Sequence, residues 1–327
     1  MMARRKKKNR ELQKLITCIV IFVLMVLAEK NGLLAVADNN MASINKDNIV
    51  QILNYEKKPE IIERVSTGLN IDKTKLNIIY FYVGQADCIL VMHNDSTMLI
   101  DSGNSADGDN VINAIKTLGV EKLDVVVGTH VHEDHIGCMS DIIDNFEIGK
   151  FYLPYNATST TSFYKRLLKS LTAKNMGIDE ATIGEKFNIG NAECEIMMVD
   201  NSDPENINEE SIALELRYGA QKYLFMGDAE VKNEKARVWE DVDVLKVGHH
   251  GSNTSSSEDF LKQVKPEISI ISVGKDNSYG LPKKKIINRL KKYNSIIYRT
   301  DEDGTIQLVS DGNTSEIVKV DINLDGN

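Results

Sequence analysis

The chain has 327 residues, of which 42% are hydrophobic and 27% charged, with five prolines and four cysteines. This excludes a mainly disordered, collagen-like or multi-pass membrane protein, and four cysteines are too few for a disulfide scaffold. The net charge of −9 is uneven: residues 1–14 hold seven basic side chains against Glu11, a surplus of +6, so the remainder carries −15. An acidic body does not suit tight, sequence-blind DNA binding, which needs phosphates neutralised by Lys and Arg. At roughly 100–200 residues per domain, the length allows one large or two small domains.

Behind the basic tip, Leu15–Ala28 is apolar apart from Thr17 and is closed by Glu29 and Lys30. It suits the ~7–15-residue core of an export signal better than the ~20 residues of a bilayer span. Ala35-Val36-Ala37 supplies a small-residue cleavage pattern. Residues 1–37 therefore read as a signal peptide, with an uncleaved N-terminal membrane anchor as the alternative. Either one puts the body outside the cell or on the outer face of the cytoplasmic membrane. Cys18 lies in this segment. Cys88, Cys138 and Cys194 remain, an odd number, so at least one thiol is free unless it pairs between chains.

Residues 38–72 are polar and mixed and read as a linker. From Leu76 onward, short apolar or β-branched runs separated by Gly, Asn and Asp predict strands over 76–83, 88–93 and 97–101. Apolar residues at helical spacing over 110–118 end at Gly119, a helix stop. Residues 123–130 predict a buried strand and 162–175 a helix. Strands follow over 194–200, 211–219 and 222–228, then a helix over 232–241 and a strand over 243–250. Ser257 is an N-cap for a helix that stops at Pro266. A strand over 268–274 and a helix over 283–293 come next. Strands 296–300 and 305–310 flank Asp301-Glu302-Asp303-Gly304, a hairpin turn by its composition.

Five of the six histidines fall in two clusters, each just after a predicted strand. The first runs Thr129-His130-Val131-His132-Glu133-Asp134-His135. His130 and His132 point to the same side of an extended strand end, and the following turn can bring Asp134 and His135 to a second position. Imidazoles and a carboxylate suit Zn or Mn. The second cluster is His249-His250-Gly251-Ser252, where Gly251 permits close backbone approach. Asp101 and Asp228 each close an apolar run. Four polar clusters at strand ends are what a metal site on a rigid scaffold needs. His93, isolated between strand and loop, reads as structural.

The segment Thr129–Gly137 matches the HxHxDH motif of the metallo-β-lactamase superfamily. More narrowly, the body resembles the metallo-β-lactamase domain of the competence protein ComEC and its stand-alone exported relatives. The carrying segments are 81–91, 98–105, 129–137, 211–230 and 243–280. The resemblance implies an α/β fold, the four-layer αββα sandwich, with the hydrolase domain spanning residues 73–322. It also implies two divalent ions, Zn or Mn. His130 and His132 would bind metal 1, Asp134 and His135 metal 2, and Asp228 both. The His249-His250 pair would add a ligand to metal 2, with His250 favoured and His249 facing the substrate. Asp134 and His249 are the catalytic candidates, Asp101 orients a ligand imidazole, and Ser252 and Thr254 are candidate phosphate contacts.

The chain departs from the family pattern in four places. No histidine occurs between His135 and His249, so metal 1 would be weakly held, completed by water or a polar side chain from Asn206–Ser211. Cys88 and Cys138 stand where Ser and Gly are common. Leu281 replaces a usual His. The implied reaction is hydrolysis of a phosphodiester by a metal-held hydroxide, on nucleic acid or a cell-wall polymer. The alternatives are a cell-envelope phosphoesterase of the phosphorylcholine or teichoic-acid type, and a non-catalytic metal-binding module. The membrane is a partner only if the N-terminal segment is uncleaved.

Overall fold

Runs such as Leu76–Tyr80 and Ile89–His93 are buried on consecutive residues rather than alternate ones, as strands packed on both faces must be. In the computed structural model, which describes residues 62–154, 157–200 and 206–326, they form two sheets. Labelled in chain order, the first sheet runs β1 (Ile62–Ser66), β16 (Ser315–Val320), β15 (Thr305–Ser310), β2 (Leu76–Tyr80), β3 (Ile89–His93), β4 (Ser96–Ile100), β5 (Lys122–Val127), β6 (Glu147–Leu153), β7 (Asp179–Glu180). The second runs β14 (Ile296–Arg299), β13 (Ile268–Ile271), β12 (Val244–Lys246), β11 (Gln221–Phe225), β10 (Ala213–Tyr218), β9 (Ala192–Met198), β8 (Lys186–Ile189). β4 to β7 are parallel neighbours, as are β11 to β14.

Three apolar layers follow from the strand period of two. Ile78, Tyr80, Val91, Ile100 and Val127 of the first sheet meet Ile196, Leu214, Tyr223, Phe225 and Ile270 of the second. The opposite side chains of the first sheet, Ile79, Leu90, Leu99 and Val126, are covered by Val111, Ile115, Ile142 and Leu167 from helices Gly108–Thr117, Met139–Asn145 and Ser162–Ala173. On the far side, Leu224, Leu245 and Ile271 meet Phe260, Leu261, Ile286 and Leu290 from helices Glu258–Val264 and Lys284–Lys292. This is the αββα sandwich. Each fully buried side chain of this size contributes about 1.5–3 kcal/mol.

Several expectations change. Residues 301–304 are not a hairpin turn: β14 lies in one sheet and β15 in the other. The segment forms a helical turn that carries the chain between sheets. Its acids serve Arg299, whose backbone N–H donates to Asp303 (2.9 Å) and whose Nε donates to Asp301 (3.0 Å). The helix expected over 232–241 covers only Val231–Lys235, because Trp239 turns inward, stacks edge-on against Phe260 and donates its indole N–H to the Glu234 carbonyl. The stretch read as linker contains β1, which pairs parallel with β16. Its side chains are mostly exposed, so backbone pairing holds it and no apolar pattern marks it. β6, β8 and β16 were likewise unmarked, as their residues alternate or mix polar and apolar. Among the described residues, no helix is long and apolar enough to cross a membrane. The signal or anchor over 1–37 and Cys18 lie outside them. Cys88, Cys138 and Cys194 are free and buried.

Candidate metal centre

The site is assembled from the carboxyl ends of parallel strands in both sheets. Asp101 follows β4 and Thr129-His130 follow β5. Asp228 comes after β11, His249-His250 after β12, and Ser272 directly after β13. Asp101 (φ 56°), His249 (φ 49°) and His250 (φ 49°) are all left-handed without being glycine, a conformation that costs about 1–2 kcal/mol per residue. Such strain persists where surrounding contacts over-determine it, and it gathers at functional sites. Gly251 (φ 78°) has no room for a side chain: a Cβ would lie 2.7 Å from Pro282 Cβ.

Three imidazoles are held by their Nδ1 atoms. His250 Nδ1 lies 2.9 Å from the Ser272 carbonyl, which can only accept, so Nδ1 carries the proton. His135 Nδ1 donates to Asp101 Oδ2 at 2.7 Å. Thr129 Oγ1 gives its one proton to the same Asp101 oxygen (2.8 Å) and therefore accepts from His130 Nδ1 (3.2 Å). All three Nε2 atoms are left to face the site.

His135 Nε2 is 3.4 Å from Asp228 Oδ1 and 3.9 Å from Asp134 Oδ2. His250 Nε2 is 3.3 Å from Asp134 Oδ2 and 3.6 Å from Asp228 Oδ1. Ligand atoms of Asp134, His135, Asp228 and His250 all lie within 4.8 Å of one another. His135 Nε2, His250 Nε2 and Asp228 Oδ1 are buried without a hydrogen-bond partner. Buried polar atoms are rarely left unpaired. A divalent cation would satisfy all three, and the donor set of two imidazoles and two carboxylates fits Zn or Mn. Beside this group, His130 Nε2 and His132 Nδ1 approach to 3.0 Å.

The electrostatics agree with a cation site. Burial pulls the His135 imidazole down, but Asp228, Asp101 and Asp134 lift it well above its ordinary value. Burial likewise opposes charge on His250, and Asp228, Asp87 and Asp134 raise it to about 9. Burial would raise the Asp228 carboxyl, yet His250 and His135 hold it well below the carboxylate range. Asp134 is lowered in the same way by His135 and His250 against its burial. His130, in contrast, is pushed well down by burial, with His135 adding to the effect.

The remaining candidates take different positions. His249 is outside the four-residue group. Its Nε2 is 3.7 Å from Asp228 Oδ2, while Nδ1 is 2.9 Å from Thr254 Oγ1 and 3.3 Å from Glu230 Oε1. Ser252 Oγ sits 3.2 Å from Thr254 Oγ1, so these hydroxyls join the His249 network. Where a third imidazole for His130 and His132 is lacking, Ser211 Oγ lies 3.4 Å from His130 Nδ1 and accepts from the Asp228 N–H. Asn208 lies beside His249 Nε2 (3.5 Å) and its Oδ1 is buried without a partner. Leu281 packs against the outer apolar layer. His93 is buried away from the site: its Nδ1 accepts from Asn191 N–H and its ring packs on Tyr218. Sequence reasoning missed Asp87, Lys246, Glu230 and Ser272. A lysine inside the apolar run of β12 was the available signal for Lys246; Ser272 acts through its carbonyl, which sequence cannot advertise.

Fold and site together define a metallo-hydrolase scaffold. The metallo-beta-lactamase superfamily matches residues 81–275, over half of the chain, and the chain belongs to that superfamily. Within it the relatives are competence proteins of the ComEC type. ComE operon protein 3 of Bacillus subtilis (strain 168) is 29% identical over 247 residues, covering 69% of this chain and 32% of that protein. Recombination protein 2 of Haemophilus influenzae is 30% identical over 233 residues, covering 69% of this chain and 28% of that protein. The chain thus spans about a third of the length of the curated relatives it matches. The metallo-beta-lactamase fold protein YhfI from Bacillus subtilis superposes with a TM-score of 0.50 at 10% identity, over 72% of this chain and 100% of that one, a likeness of fold.

Proposed function

We propose that this protein is a metal-dependent phosphodiesterase that acts outside the cytoplasm on a polymer of phosphodiesters. The convergence of His135 Nε2, His250 Nε2 and Asp228 Oδ1, buried and otherwise unsatisfied, carries the reading. Asp134, His135, Asp228 and His250 would hold one ion. His130 and His132 would hold a second, near Asp228, Ser211 and Asn208. Divalent ions bound there would lower the pKa of water and neutralise charge on phosphoryl oxygens. Asp101, Thr129 and Ser272 hold the rings by Nδ1 and so aim the Nε2 atoms into the site. His249, backed by Glu230 and Thr254, faces the reaction from the rim and delivers a proton from Nε2 to the leaving oxygen, a role worth about 10²–10⁴ in rate.

A local departure from the acidic body favours a polymer over a small ester. Pro282 packs on Gly251 and the Lys283 N–H donates to the Gly251 carbonyl (2.9 Å), so the helix Lys284–Lys292 begins at the rim of the site. Lys284, Lys285 and Lys291 are exposed and have no carboxylate partner among the described residues. The helix is about 13 Å long at 1.5 Å per residue, enough to follow a phosphate-bearing chain. The test is hydrolysis of a chromogenic phosphodiester and of a phosphodiester polymer with Zn or Mn added. Asp134→Ala should abolish both. Lys284→Glu with Lys285→Glu should raise KM for the polymer several-fold and leave the small ester unchanged. Equal effects on both substrates favour the small-phosphoester enzyme. Metal binding without turnover of either leaves the non-catalytic module.

A further inference from the structure

Behind the ligands is a buried ion pair. Lys246 Nζ and Asp87 Oδ2 are 2.6 Å apart, and the two side chains are 0% and 1% exposed. Lys246 belongs to β12, Asp87 to the connection between β2 and β3, so the pair joins the two sheets at the strand ends that carry the site. Stability does not explain it. Desolvating two charges is costly, and replacing a buried pair with apolar residues is often neutral or stabilising.

What the pair does reach is the segments that carry Asp134, Asp101 and His250. The Asp87 N–H donates to the Asp134 carbonyl (3.0 Å). The Asp87 carbonyl accepts from Gly103 N–H (2.8 Å), two residues beyond Asp101. Asp87 Oδ1 has no hydrogen-bond partner and faces His250 Nδ1 at 3.6 Å. Lys246 Nζ also donates to the Val247 carbonyl (3.1 Å), at the start of the turn leading to His249-His250. One residue from the β2–β3 connection is thus bonded to the backbones of Asp134 and Gly103 and faces the ring of His250, and one lysine from the second sheet holds it there.

We infer that Asp87 and Lys246 are positioning residues: a neutral strut between the sheets that sets the distance between Asp134 and His250 and supports the Nδ1-protonated form of His250. The inference rests on the metal reading of the proposed function. It is separated from simple electrostatics by sign. Removing the lysine removes a positive charge near a cation site, and charge alone would then tighten cation binding. Loss of a strut weakens it.

The experiment compares wild type, Lys246→Met, Asp87→Asn and the double variant of the full chain. The readouts are Mn and Zn affinity by calorimetry, metal per chain by elemental analysis, and Tm without metal. Both single variants should lose tenfold or more in affinity. The double variant, having no unpaired buried charge, should regain Tm towards wild type while its affinity stays low. Tighter or unchanged binding by Lys246→Met overturns the inference. So does a double variant that recovers affinity together with Tm. If neither single variant folds, the double variant alone decides on the same criterion. Wild type that binds neither metal overturns the metal centre itself, and the strut with it.

Discussion

Replacing Asp101 by Asn alters one atom of a fully buried side chain and tests how His135 is prepared for a metal. Asp101 Oδ1 accepts the Thr129 N–H (2.7 Å), and Oδ2 accepts both His135 Nδ1 (2.7 Å) and Thr129 Oγ1 (2.8 Å). An amide can keep its oxygen on Thr129 only by turning its NH2 towards His135. Nδ1 must then accept, the ring proton moves to Nε2, and a protonated Nε2 cannot bind an ion. The opposite amide orientation puts two N–H donors face to face at the Thr129 backbone. Either arrangement forfeits a hydrogen bond to a charged group, about 1.5–3 kcal/mol, or about 10–150-fold in affinity. That agrees with the ~10–100-fold typical of outer-shell partners of metal ligands. Asn tolerates positive φ, so the φ of 56° at this position survives and the fold is kept. The assay is calorimetric titration with Zn and Mn, with thermal melting in chelator as the control. Affinity within twofold of wild type, under conditions where Asp134→Ala binds poorly, would refute the tautomer argument.

Metal affinity should rise with pH. His250 has its folded pKa raised to about 9 from an unfolded value of about 6.5, so its proton stabilises the metal-free fold fully below 6.5 and that contribution is lost as pH rises through 9. An ion must displace this proton, so apparent affinity should climb by up to tenfold per unit between about 6.5 and 9 for each imidazole displaced; a flat profile by calorimetry in matched buffers counts against it. Gly251→Ala combines a left-handed φ of 78° with a Cβ 2.7 Å from Pro282 Cβ, and should lose at least about 1–2 kcal/mol in urea unfolding and weaken metal binding through the adjacent His250. Ser257→Ala removes the hydroxyl that accepts Phe260 N–H at 3.2 Å, and should cost about 1 kcal/mol with no change in metal affinity; a change in affinity would mean the cap reaches the site.

Much was legible because the signals are local. Runs such as Leu76–Tyr80 and Ile89–His93 are buried on both faces, and that burial leaves unbroken apolar stretches in the chain. The Ser257 cap and the grouping of His130, His132, Asp134 and His135 are also matters of neighbours in sequence. The expectation of a strand through 243–250 was half right. β12 stops at Lys246, and the histidines beyond it turn into left-handed backbone that puts the two rings in different surroundings.

Sequence alone determined the apolar strand pattern, the metal-binding residue types and their attachment to strand ends, since each depends on residues within a few positions of one another. Tertiary structure decided everything that requires two distant segments to meet. It put β14 and β15 in different sheets despite a turn-like connection, because β13 and β2 offered each its own pairing edge. It paired the Ser272 carbonyl with His250 and Asp101 with His135, and so settled which nitrogens face the site. It brought Lys246 against Asp87, where only the exclusion of water makes one charge the necessary partner of the other.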